Sequence, residues 1–260
     1  MGKKKSDRRP SRKQLNLDTK IKRFPVRLEE LPLPDYWEIS LPDRHICLLT
    51  DDGSTNTLKL AESLRDKGWK PIVVSFAQIL EPSPLPEGIN RVVLEQLSED
   101  YLKQQLTAIT NTYGPIAAFI HLHPLFEADS DRGISYLEAD KAIVKQVFLM
   151  AKHLKPSLVA AADRGYSCFF TVARLDGAFG LEKKVNFNPI SAGLFGLTKS
   201  LNREWKSVFC RAIDLSPYIA PQVSSEYILA ELHDPNRCLS EVGYDLDRRT
   251  TLTASSIDLG

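Results

Sequence analysis

Short apolar runs alternate with stretches whose apolar residues recur at helical spacing. Ile46–Thr50 (ICLLT) is apolar throughout, as are much of 71–76, 116–122, 167–172 and 209–214. Continuous runs of this length suit strands buried on both faces rather than strands with one wet face. Shorter runs at 91–94 and 240–244 extend the set, and 249–253 can add a short strand. Between them the periodicity predicts helices over 55–67, 98–112, 137–155, 190–204 and 222–233. Gly68 follows the first of these helices as a stop signal. Strand and helix in regular alternation imply an α/β fold, a doubly wound parallel sheet with right-handed crossovers. Two segments break the pattern. Leu28–Leu41 is rich in proline and acids and reads as an extended strap, and the proline-rich segment Glu81–Gly88 reads as a surface loop. No internal repeat is visible.

A chain of 260 residues with 43% hydrophobic content can bury one such domain plus extensions. Net charge is +1 but unevenly spread. Residues 1–27 hold eleven Lys and Arg against Asp7 and Asp18, a balance of +9, which leaves −8 on the rest. This segment is expected to be a disordered basic arm. It lacks interleaved aromatics, so a linker or a contact to an acidic partner is preferred over nucleic-acid binding. No apolar run approaches the ~18 residues that a membrane span needs, and no secretory signal is recognised. Cys47, Cys168, Cys210 and Cys238 are widely spaced without a C-x-x-C pair. They are read as reduced thiols of a cytoplasmic protein rather than a disulfide frame or metal site. His121 and His123 could share one strand face, but no third ligand lies nearby in sequence, and metal binding is not expected.

The first strand-to-helix connection, Asp51-Asp52-Gly53-Ser54-Thr55-Asn56-Thr57, is where a dinucleotide fold would hold its pyrophosphate. That task needs glycines, for a tight turn and for close approach of the backbone to the phosphates at the helix N-terminus. Counted from Thr50, the three glycine positions fall on Asp51, Thr55 and Thr57. Gly53 can keep a turn, but two carboxylates stand where an anion would bind. A plain turn with acidic capping is the preferred reading, with a degenerate cofactor site as its consequence.

The segment from Asn186 to Leu201 resembles the catalytic helix of short-chain dehydrogenases/reductases, through Gly196-Leu197-Thr198-Lys199. Laid on that run, the family's Tyr position falls on Phe187, its Lys position on Ser191 and its Ser position on Arg174. A phenyl ring has no proton to give a carbonyl, and a hydroxymethyl group supplies no ammonium. The likeness is wider than this helix. From about Val26 to about Thr253 the chain resembles the ketoreductase region of type I polyketide synthases, polyunsaturated-fatty-acid synthases and glycolipid synthases. Ile46–Ser54, Phe170–Leu181, Gly193–Ser216 and Glu241–Tyr244 followed by Arg248-Arg249 carry it.

Such ketoreductases consist of two Rossmann-like halves, a structural one and a catalytic one that binds NADPH and holds Ser, Tyr and Lys. The resemblance is to the structural half. It implies a basic arm over 1–27, a strap over 28–45, a Rossmann-like subdomain over 46–255 and a tail over 256–260. It also implies a fragment, split gene or truncated pseudo-domain that binds no cofactor and is not catalytic alone. The parent system would be an NADPH-dependent 3-oxoacyl-[acyl carrier protein] reductase. The expected partners are the catalytic half and other synthase domains, with the acyl carrier protein engaged indirectly. Two alternatives stay open: a divergent active NAD(P)H-dependent short-chain reductase, and a basic-armed protein-binding module.

Overall fold

A computed structural model describes residues 24–125, 138–183 and 189–254. In chain order the elements are β1 (Val26–Leu31), β2 (Ile46–Thr50), α1 (Thr55–Asp66), β3 (Pro71–Phe76), β4 (Asn90–Leu94), α2 (Glu99–Tyr113), β5 (Ile116–Leu122), α3 (Glu138–Ala162), β6 (Cys168–Ala173), α4 (Gly193–Glu204), β7 (Phe209–Leu215), α5 (Pro221–Leu232), β8 (Glu241–Tyr244) and β9 (Arg249–Ala254). The nine strands form one sheet in the order β1-β9-β8-β7-β6-β5-β2-β3-β4. From β4 through β8 every pair is parallel. The α/β, doubly wound expectation is therefore met. The strand order reverses between β2 and β5, which opens a crevice at the carboxyl ends of these strands.

Strands β2, β3, β5, β6 and β7 are buried along their whole length because helices cover both faces. Alternate residues of β2 feed two cores. Ile46 and Leu48 pack beneath α2, α3 and α4, while Cys47 and Leu49 pack beneath α1 and α5. Of the four thiols, Cys47, Cys168 and Cys210 are free and buried, and Cys238 is free and exposed. Burial raises the thiol of Cys168 to about 12, so it behaves as core packing.

The structure departs from the sequence expectation at three places. The start of the strap, together with Val26 and Arg27, is strand β1, paired antiparallel with β9, and β9 is antiparallel to β8. The sheet is thus parallel with an antiparallel edge. Helix α3 runs seven residues past 155, through Pro156. A proline removes one helical hydrogen bond, but Leu154, Leu158 and Ala161 continue the buried stripe across it. Ser157 Oγ also clamps the turn, donating to Ile116 O and accepting from Ile116 N. Residues 190–192 form turns before α4 rather than its first helical turn.

One buried ionic network ties the antiparallel edge to the parallel sheet. Arg211 on β7 is fully buried and donates to Glu231 and Asp234 at the end of α5, and to the Leu239 and Asn236 carbonyls. Arg249 on β9 forks onto the same two carboxylates, with Nε 2.7 Å from Glu231 Oε1 and Nη2 2.9 Å from Asp234 Oδ2. Its Nη1 reaches the Pro32 carbonyl of the strap. Tyr244 Oη on β8 donates to Glu231 Oε1. Two cations meet two anions, and each carboxylate oxygen in the set has a donor. Removing one partner leaves buried charge uncompensated. Glu231→Leu is expected to lower the unfolding free energy by roughly 3–5 kcal/mol, read by urea denaturation; a loss below about 1 kcal/mol would mean that the network is not the clamp described.

Candidate functional site

Strand β2 ends at Thr50, and the turn beyond it is closed by its own carboxylates. Asp51 is fully buried. Its Oδ1 accepts from Gly53 N at 2.9 Å and Ser83 Oγ at 2.6 Å, and its Oδ2 from Ser75 Oγ at 2.8 Å and Arg91 Nη2 at 3.0 Å. Asp52 accepts from Ser54 N and Oγ, from Asn56 Nδ2 and from Thr57 Oγ1, the last at 2.7 Å. Thr57 Oγ1 in turn accepts from Asp52 N. Thr55 is the first residue of α1, and Ser54, its N-cap, accepts from Asn56 N. The acidic capping expected at this turn is corrected: Ser54 caps α1, and the two carboxylates bind backbone N–H groups of the turn before the helix, Gly53 N and Ser54 N.

The segment between β3 and β4 lies over the turn. Gly53 has φ +75°, and a Cβ there would stand 3.2 Å from the Glu81 carbonyl. Ser83 Oγ also donates to the Ser54 carbonyl at 2.6 Å. The backbone that would approach a pyrophosphate is in contact with the chain itself.

Arg174, Asp176 and Asp214 lie beside the turn, at the ends of β6 and β7. Arg174 follows β6 directly, is buried, and donates to Ser224 Oγ at 3.2 Å. Burial lowers its pKa, against the pull of Asp52 and Asp214. The loop after it winds around two carboxylates. Asp176 accepts from Ala178 N, Gly180 N and Lys183 N. Asp214 accepts from Leu175 N at 2.8 Å and Phe179 N at 2.7 Å. Gly177 is held against β8, where a Cβ would sit 2.2 Å from the Tyr244 carbonyl; at Gly243 one would sit 2.3 Å from the Gly177 carbonyl. Both positions therefore require glycine. Of the other predicted site residues, Ser191 is buried in the turn before α4, and Phe187 lies outside the described residues.

The histidine pair faces one way, as its i,i+2 spacing suggested, and forms part of a polar chain. His123 Nε2 lies 2.6 Å from Asp140 Oδ1 on α3, His121 Nε2 lies 3.2 Å from His123 Nδ1, and His121 Nδ1 lies 2.8 Å from Thr50 Oγ1. Leu122 N donates to Thr50 Oγ1. If His123 donates to Asp140, His121 donates to His123 and Thr50 donates to His121, and every role is filled with neutral rings. Burial holds the pKa of His121 well below the ordinary range, which fits this assignment. Among the described residues no group of three or more His, Cys, Asp and Glu could hold a metal ion.

Sequence reasoning found the turn and the histidine pair, but not Ser83, Arg91, Asp140 or Asp214. Asp214 left one weak signal, a lone carboxylate near the end of the apolar run 209–215. The others are joined only by tertiary contact.

Comparisons with known proteins bear on the fold. No family model matches the chain. Over 244 residues it is 25% identical to one of the subunits of polyunsaturated fatty acid synthase from Thraustochytrium sp., a match covering 90% of this chain and 8% of that protein. The chain thus spans less than a tenth of the relative's length. Among solved structures, 3-ketoacyl-(acyl-carrier-protein) reductase from Brucella melitensis complexed with NADH superposes with a TM-score of 0.59 at 16% identity, over 78% of this chain and 96% of that one. Actinorhodin polyketide ketoreductase with NADPH gives 0.54 at 14% identity, over 76% and 94%. A keto acid-selecting NRPS module containing adenylation and ketoreductase domains gives 0.56 at 12% identity, over 91% and 19%. The chain has a ketoreductase-like short-chain dehydrogenase/reductase fold and resembles in sequence one segment of a synthase polypeptide.

The Asp214 cradle makes a pH prediction. Burial raises this carboxyl to about 6, against the pull of the backbone donors of Leu175, Phe179 and Asp176. A raised acid favours the protonated folded form. Its stabilising contribution is full below the ordinary carboxylate range and is lost as pH rises through about 6. A carboxyl-carbon NMR titration, assigned with Asp214→Asn, should show a midpoint near 6. A midpoint at the ordinary aspartate value, about 3.9, would contradict the buried cradle.

Proposed function

We propose that this chain is the structural half of a ketoreductase region in a type I polyketide- or fatty-acid-type synthase. It scaffolds a separate catalytic half, and that half performs the NADPH-dependent reduction of a 3-oxoacyl thioester. The carrying observation is the pair Asp51 and Asp52. A dinucleotide pyrophosphate needs backbone N–H donors at the end of β2 and the start of α1. Here Asp51 takes Gly53 N, Asp52 takes Ser54 N, and the Glu81 carbonyl lies over Gly53. The residues at the turn do not fit the cofactor: a phosphate would meet two carboxylates and few free donors.

The catalytic positions support the same reading. In the family register Arg174, Phe187 and Ser191 replace Ser, Tyr and Lys, so no residue there would hand a proton to a carbonyl. Similarity to a segment of a fatty acid synthase polypeptide supports the assignment to such a system. In this reading residues 46–255 form the subdomain, 28–45 the strap, 1–27 a basic arm and 256–260 a tail. The work is done in the cytoplasm. The partners are the catalytic half and neighbouring synthase domains, and the acyl carrier protein visits the catalytic half.

Two measurements test the proposal. Titration of NADPH fluorescence with the full chain should show no saturable binding at micromolar concentrations; saturation there would make the chain a divergent reductase. Co-expression with a catalytic ketoreductase half from such a synthase should give a co-purifying pair and raise soluble yield. A chain equally soluble alone that ignores this partner would refute the scaffold role.

A further inference from the structure

One helix face remains outside the function just described. Along α3 the exposed residues Lys141, Lys145, Phe148, Lys152 and Lys155 fall at successive steps of four, three, four and three. That spacing places all five on one line of the helix, about 21 Å long at 1.5 Å per residue. The stripe is symmetric, with two lysines on either side of a central phenylalanine. Phe148 is 56% exposed. Arg203 and Lys206, at and just beyond the end of the neighbouring α4, are also exposed and add positive charge beside it. This basic face belongs to a body that carries −8 beyond residue 27.

The flanking carboxylates narrow the choice of occupant. Glu138 pairs with Lys141 and Glu99 with Lys152 at 2.7 Å, which leaves Lys145 and Lys155 as the stripe's lysines without a carboxylate partner among the described residues. Lys155 Nζ lies 6.0 Å from the Trp205 ring centroid. A nucleic-acid backbone or an anionic bilayer presents a continuous array of phosphates that would meet Glu99, Glu138 and Glu204 as well as the lysines, whereas a helix can set its acids opposite Lys145 and Lys155 alone. A second copy packed about a two-fold axis would bring this stripe against itself, lysine facing lysine. A straight line of charge one residue wide, with an apolar anchor at its centre, is matched by a helix carrying acids at the same spacing around an apolar residue.

We infer that the solvent face of α3 is a docking surface for an acidic, amphipathic helix of a partner protein, anchored on Phe148 and steered by Lys145 and Lys155. This inference goes beyond the scaffold role and does not depend on how the nucleotide turn is read.

The test uses the full chain and a synthetic helical peptide bearing one Glu on either side of a Leu on one face, at the spacing of Lys145, Phe148 and Lys155. Fluorescence anisotropy should show saturable binding that weakens as salt is raised. The double variant Lys145→Glu with Lys155→Glu should lose about tenfold or more in affinity, and Phe148→Ser about fivefold. All three side chains lie on the surface, so unchanged thermal unfolding should accompany the loss. Duplex DNA and phosphatidylserine vesicles are titrated alongside. Absence of peptide binding, or binding that the stripe variants leave unchanged (as capture by the basic residues 1–27 would), overturns the inference. So does binding of DNA or vesicles that the stripe variants abolish.

Discussion

The sheet is one continuous body because Glu231 and Asp234 hold Arg211 and Arg249 together out of water. Most of the parallel strands are joined by covering helices, the last of them α5 between β7 and β8, whereas the antiparallel edge beyond β8 has no helix crossover of its own. Its alignment with β7 rests on a short parallel pairing and on this network, which gathers β7, α5, β8, β9 and the Pro32 carbonyl into one polar knot. Two isolated buried arginines would each cost several kcal/mol in desolvation, as would two isolated carboxylates. The four are tolerable only as a complete set. A knot of this kind favours one arrangement of the edge, since a slipped β9 would strand Arg249 away from both acids.

Carboxylates do a related job at the carboxyl end of the sheet. Asp51, Asp52, Asp176 and Asp214 each accept from backbone N–H groups of the turn that follows a strand or lies beside it. In a nucleotide-binding fold these are the donors left free for a ligand's phosphates. Here the turns are satisfied from within. The carboxylates thereby order the turns themselves. Burial sets the cost: Asp214 is raised to about 6, so close to neutral pH its cradle holds a charge against desolvation.

Much of this was legible in the sequence, and the limits have a physical origin. Strands buried on both faces read as apolar runs, so β2, β3, β5, β6 and β7 fell close to their observed bounds. Asp51 and Asp52 announced an acidic turn because their neighbours in sequence are the groups that they cap. Strand β1 was hidden because its partner β9 lies more than two hundred residues away, and its exposed edge lacks the apolar run of a central strand. Proline ends most helices, so the continuation of α3 beyond Pro156 depended on core contacts of Leu158 and Ala161 that no local pattern encodes. Residues joined only through space stayed dark: Ser83 and Arg91 on Asp51, Asp140 on His123, and the Arg211–Glu231–Arg249 fork.

If the turn holds no cofactor, as proposed, its internal bonds give a reason why restoring single motif residues would not restore a site. Replacing Asp51 by glycine would remove one carboxylate, but Ser75 Oγ, Ser83 Oγ and Arg91 Nη2 donate to it. The buried Ser75 hydroxyl would then lose its acceptor, at a cost of about 1–3 kcal/mol, while Arg91 would lose its carboxylate partner and keep only the Ser83 carbonyl. The segment carrying Ser83 would remain over the turn through its bond to the Ser54 carbonyl. Asp52 would still hold the side chains of Ser54, Asn56 and Thr57 at the start of α1. The turn, the overlying loop and Arg91 are mutually dependent, so binding would require all of them to change together. The turn is therefore one mutually supporting unit, in which side chains take the backbone donors just before α1.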